Sequence, residues 1–240
     1  MQKRDFLLLI LCFCSVSFFA QVDHQKMFDA YLKGDLSVWG EMLKEKQKNI
    51  QFLSEQELAE VINYQYGYIP WCLETKKTEQ AALFLQHFES NLSLWAQKGG
   101  DRATIFAYRS GASAFHYKSS SSLSQAMASI KYVNKAFETD ATNPIVLSLK
   151  GNIDFYKPTI FGGSKKEAMA YFSQSLAAFE QRNWTKNNWN YVATMLCLVQ
   201  TYEKTNQKEK ALNLAQKMLS EYPSFLYLKN EYYPLLLRKK

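Results

Sequence analysis

The chain has 240 residues, 29 basic and 22 acidic side chains, a formal charge of +7 and four cysteines. Its charges are interspersed except for the closing Arg238-Lys239-Lys240, the pattern of a solvated surface and not of a nucleic-acid footprint. So few cysteines exclude a disulfide-stapled scaffold, whereas 15% aromatic residues supply large side chains for a packed core.

The first segment reads as an export leader. Met1-Gln2-Lys3-Arg4 is a short cationic start, and Phe6 to Phe19 is an apolar run followed by the small Ala20 expected before a signal-peptidase cut. Ser15-Val16-Ser17 is the alternative cut. An uncleaved anchor is the competing reading, but the run falls short of the roughly 20 residues that span a bilayer as a helix. Leu11 and Phe13, preceding Cys12 and Cys14, argue against a lipid-modified cysteine. Cleavage near Ala20 leaves residues 21–240 as a single domain with 27 basic and 21 acidic side chains, exported to a periplasm or secreted. Nothing else in the sequence is long and apolar enough to span a membrane.

Beyond the leader, apolar residues recur at three and four positions and not at two, which predicts an all-α fold. A first helix covers about Gln25 to Lys33, and a second about Leu36 to Lys46. Ser54, with Glu57 three residues on, forms a capping box for the next; Pro70 inside it predicts a kink or an early end. Its partner runs from Glu79 to Gln97. The pairs that follow are Arg102–Tyr117 with Ser124–Glu138, Pro144–Tyr156 with Ser164–Gln181, and Asn188–Lys204 with Gln207–Ser220. A capping helix, Phe225–Tyr233, should stop before Pro234.

Four alanines lead the same offsets of four, seven and eleven residues, which share one helix face. The sets are Ala81, Leu85, Phe88, Leu92; Ala126, Ile130, Val133, Phe137; Ala168, Phe172, Ser175, Phe179; and Ala211, Ala215, Met218, Tyr222. Their leaders are spaced 45, 42 and 43 residues apart, an interval that marks a stacked-repeat architecture. Clear repeats are expected at about 54–98, 102–140, 144–182 and 188–223. Cys72 and Cys197 fall in the first and last, which a linear stack keeps apart, so free thiols are expected.

Such helix pairs resemble the tetratricopeptide repeat. In the final pair Tyr202 ends the first helix, Ala211 and Ala215 make the close helix contact and Pro223 closes the unit. Glu138 and Glu180 stand where that proline usually falls in two earlier units. The resemblance implies a right-handed stack of antiparallel helix pairs whose first helices line a concave surface. On those helices the groove candidates are Asn63, Tyr66, Tyr108, Arg109, His116, Asn152 and Tyr156.

Asn143-Pro144, Gly151, the insert Pro158-x-x-Phe161-Gly162-Gly163 and Ala168 are also similar to the T component of tripartite periplasmic transporters. There the insert borders a pore or groove proposed to receive small organic ligands. Read from its residues alone, Pro158 stops a helix, Phe161 can plug into the core, and Gly162-Gly163 permit a reversal. Ser164 with Glu167 then forms a second capping box. The alternative is an anion nest of Gly162, Gly163, Ser164 and Lys165 at the helix start.

His24, His87 and His116 are isolated from other ligand-type residues, and no phosphate loop or nucleophile elbow is present. The sequence therefore names no catalytic residue, metal ligand or cofactor. It predicts a non-catalytic binding or scaffold protein that holds a protein or peptide partner in its groove. The alternative is a small organic anion bound beside the Phe161-Gly162-Gly163 insert.

Overall fold

The structure, a computed structural model, describes residues 24–238; the expected leader lies outside them. Residues 24–33 form α1. Then come α2 (Ser37–Gln47), α3 (Glu55–Glu74), α4 (Thr78–Gln97), α5 (Arg102–Ser120), α6 (Leu123–Thr139), α7 (Pro144–Tyr156), α8 (Lys165–Gln181), α9 (Trp189–Lys204) and α10 (Lys208–Glu221). A C-terminal helical stretch covers residues 226–238. Among the described residues there is no strand and no helix able to cross a membrane.

Helix starts follow from local chemistry. The Glu57 amide donates to Ser54 Oγ at 3.3 Å and the Ser54 amide to Glu57 Oε2 at 2.9 Å, the expected capping box. Asp101 accepts from the Thr104 amide, Asn143 from that of Ile145, and Asn188 from that of Asn190. Each such cap contributes about 1 kcal/mol.

The helices pair as α3 with α4, α5 with α6, α7 with α8 and α9 with α10, and each pair docks on the next. Small residues let the axes close. Ala81, Ala168, Ala211 and Ala215 are buried, as are Phe88, Phe172, Phe179 and Met218 from the same faces. Ser175 replaces a bulky residue in its set because its hydroxyl donates to the Pro144 carbonyl at 2.7 Å, stitching α8 to α7. In α6 only Val133 of the set is buried; Ala126, Ile130 and Phe137 are half-buried, and Leu123 and Met127 are exposed.

Several local expectations are corrected. Pro70 does not end α3, which continues to Glu74; it has no N–H to give the Tyr66 carbonyl four residues back. Nor does Pro234 stop the C-terminal helix, which runs on to Arg238. The preceding turn, Leu228–Tyr232, is a π-helix, and its wider hydrogen-bond spacing accommodates a residue with no amide to give. Phe161 does not plug the core: it is 67% exposed beside Ile160 at 86%. The Ser164 cap is one-sided, because the Glu167 amide donates to Ser164 Oγ while the Ser164 amide goes to the Asp154 carbonyl at 3.0 Å.

The largest departure concerns the two ends of the stack, which are neighbours. Gln25 accepts from Asn187 at 2.7 Å, Tyr31 meets Trp189 and Phe225, and Phe28 meets Tyr222. Four pairs curve far enough for α1 to enter the concave side. Its apolar residues Met27, Phe28 and Leu32 are buried there, which supplies the driving force. Cys72 and Cys197 are free thiols within this closed stack.

Candidate functional site

What remains of the concave side is a cavity of about 790 Å³. α3 faces it with Tyr66, Gly67, Pro70, Trp71 and Glu74, a spacing of one, four, five and eight that belongs to one helix face. α7 contributes Ile145, Ser148, Leu149, Asn152 and Tyr156; α9 contributes Trp189, Asn190, Ala193, Leu196, Cys197 and Gln200. Tyr31 and Leu36 close one side, and Phe225, Leu226 and Tyr227 close another. The volume is that of a site for one small organic molecule.

The walls are held by ring packing. Tyr66 lies against Tyr108, Phe115 and Trp189 with centroids 5.0, 5.6 and 6.2 Å away. Trp189 meets Trp39 at 5.5 Å and Tyr31 at 5.8 Å. Such contacts contribute about 0.5–1.5 kcal/mol each beyond burial. Two helical glycines make room: a Cβ on Gly111 would meet the Tyr66 ring at 2.6 Å, and one on Gly67 would meet Trp39 at 2.7 Å and Trp189 at 3.0 Å.

Beneath the rings, Asn63 Oδ1 accepts from the Tyr108 hydroxyl at 2.8 Å and from Asn190 Nδ2 at 2.7 Å. One amide thereby ties α3, α5 and α9 together. Alongside, the Ser148 and Thr194 hydroxyls are 3.0 Å apart, and the Cys197 thiol donates weakly to Asn152 Oδ1 at 3.6 Å. The Trp189 indole N–H is buried without a hydrogen-bond partner among the described residues, which costs about 1–3 kcal/mol.

The thiol and the phenols of the cavity are held in their neutral forms. Burial pushes the Cys197 thiol up to about 12 and raises the Tyr31, Tyr66 and Tyr156 phenols above their ordinary range. At neutral pH these groups are hydrogen-bond donors, not thiolate or phenolate nucleophiles. Formal charge enters the lining only as Lys33, Glu74 and Glu231. The arrangement suits a small organic molecule that has both an apolar body and polar atoms.

Of the seven groove candidates, Tyr66, Asn152 and Tyr156 line this cavity; Tyr156 stands 72% exposed. Asn63 and Tyr108 are the supporting pair beneath it. Arg109 faces a separate cleft, and His116 lies 3.0 Å from Glu89 on that side. In the proposed nest, the Gly162, Gly163 and Ser164 amides donate to the Thr159, Pro158 and Asp154 carbonyls, and the Lys165 ammonium donates to that of Phe155. These four donors serve the loop itself.

Tyr31, Trp189, Cys197, Phe225 and Tyr227 were missed by the sequence reading. They come from α1, α9 and the start of the C-terminal helical stretch with the residue before it, segments that only the curvature of the stack brings together. A usable sequence signal was glycine inside a helix, which costs about 1 kcal/mol relative to alanine and here marks where a ring docks.

The chain matches no family model and no curated protein. Among solved structures it is similar to the HusA haemophore from Porphyromonas gingivalis, with a TM-score of 0.50 and 18% identity. That match covers 70% of this chain and 95% of the other. At this identity the likeness is one of fold.

Proposed function

We propose that this protein is a non-catalytic carrier that holds one flat, mainly apolar molecule of the porphyrin class, such as haem, in its central cavity. The observation that carries the reading is the aromatic chamber of about 790 Å³ between α3, α7, α9 and the C-terminal helix. Tyr31, Tyr66 and Trp189 offer ring faces for stacking, while Asn152, Gln200 and Asn230 offer amides to polar edge groups. The haemophore fold of the similar structure and the small organic ligands implied by the transporter-component resemblance favour the same class. An extended peptide is less well served, because α1 fills much of the surface along which a chain would lie. The expected leader supports a carrier that works outside the cytoplasm.

Haemin titration of the purified chain tests the proposal, followed by Soret absorbance and tryptophan fluorescence. One saturable site with quenching of the cavity tryptophans is expected. Ala193→Trp, which puts an indole into the cavity, should abolish it while leaving the circular dichroism helical. A non-saturating response, or one that Ala193→Trp leaves unchanged, would overturn the assignment.

A further inference from the structure

A second, open cleft lies on another face of α5, away from the one that carries Tyr108 and Phe115 to Tyr66. α4, α5 and α6 wall a cleft of about 400 Å³. Arg109 is half-buried in its wall. Among the described residues its guanidinium has no hydrogen bond and no ion pair. The carboxylate in the same cleft, Glu89, is engaged by His116 Nε2 at 3.0 Å and forms no ion pair with Arg109.

The N–H donors of Arg109 are therefore open to an occupant of the cleft that the side chain lines. The rest of the cleft completes a site. The Gln125 side-chain amide and the Tyr132 hydroxyl also lack partners among the described residues, and both can donate. Leu92, Ala112 and Ala128 supply an apolar floor. The half-buried first turns of α6 noted above are the structural counterpart of this opening.

We propose that the cleft binds a small organic acid through its oxyanion, with Arg109 as the charged fork and Gln125 and Tyr132 as supporting donors. A carboxylate or phosphate matches the two parallel N–H groups of arginine. Glu89 in the same wall disfavours a doubly charged group, so a carboxylate on an aliphatic or aromatic body is the occupant. The site is independent of the central cavity.

The test is an NMR titration of the folded chain with sodium benzoate and, separately, with sodium phosphate at constant ionic strength. Arg109 Nε–H and backbone amides of α5 and α6 are followed. Saturable shifts with benzoate are expected, with about tenfold weaker binding in Arg109→Gln. If that variant fails to fold, the double variant Gln125→Ala, Tyr132→Phe must weaken benzoate at least about threefold. Absence of saturation, or an affinity unmoved by these substitutions, overturns the site; tighter binding of phosphate than of benzoate overturns the carboxylate assignment. Haemin should not compete in either arm, whatever the fate of the central-cavity proposal.

Discussion

Asn190 Nδ2 donates to Asn63 Oδ1 across 2.7 Å of space and 127 positions of sequence. The bond joins the last clear repeat to the first, and the same oxygen accepts from Tyr108. A helical stack in which each unit touches only its neighbours would contain no such link. Here it closes the superhelix around the cavity and makes one amide responsible for three helices.

Asn63→Leu should therefore cost more than a typical half-buried substitution. It leaves the Tyr108 hydroxyl and the Asn190 amide without their acceptor, at about 1–3 kcal/mol for each stranded group. Urea unfolding should show a loss of about 2–4 kcal/mol. A loss within experimental error would mean that both groups find other partners and that the closure does not depend on this oxygen.

Gly67 separates helix propensity from packing. Alanine at this position favours the helix by about 1 kcal/mol, yet its Cβ would stand 2.7 Å from Trp39 and 3.0 Å from Trp189. Both neighbours are rigid, buried rings, so overpacking of about 1–3 kcal/mol should prevail. Gly67→Ala is expected to lower the thermal midpoint and to alter near-ultraviolet tryptophan dichroism. A rise in the midpoint would show that the two indoles yield freely.

The helices were legible because their evidence is local. The alanine-led spacing and the caps at Ser54, Asn143 and Asn188 lie within a few residues of what they control. The chamber was not legible, because Tyr31, Trp189 and Phe225 gain their meaning only from one another. Periodicity identifies which face of α1 is apolar but not that this face turns into the concave side. Arg109, Tyr66 and Asn152 were singled out together from first helices, yet α5 turns Arg109 away to a different cleft. Pro234 misled for a related reason: its local rule holds in an α-helix, and a π turn precedes it.

His87 provides a pH dependence with a definite sign. Burial lowers its pKa, and its Nδ1 is buried beside Phe84 without a partner among the described residues. The folded state thus favours the neutral imidazole. Its contribution is present above the unfolded value of 6.5 and is lost as pH falls from there through the lower folded value. Urea midpoints measured from pH 7.5 to 5 should fall more steeply for the native chain than for His87→Phe. Parallel curves would contradict the assignment, since the carboxylates that also titrate are common to both.

Cys197 should be inert where an ordinary exposed thiol reacts. Only the thiolate attacks an alkylating agent, and burial at the cavity wall pushes the Cys197 pKa up to about 12. Against an unperturbed value near 8.5, the reactive fraction at pH 7.5 drops by roughly a thousandfold. Iodoacetamide labelling followed by peptide mass spectrometry should mark Cys197 rapidly in urea and barely in the folded chain. Cys72, fully buried and also shifted upward, serves as the internal comparison for opening of the fold. Should Cys197 label while Cys72 stays protected, the cavity wall admits solvent and reagent without unfolding, and the thiol's neutrality can no longer support a carrier without nucleophilic chemistry. Protection of both thiols, lifted together by denaturant, ties the neutral wall to the closed stack that builds it.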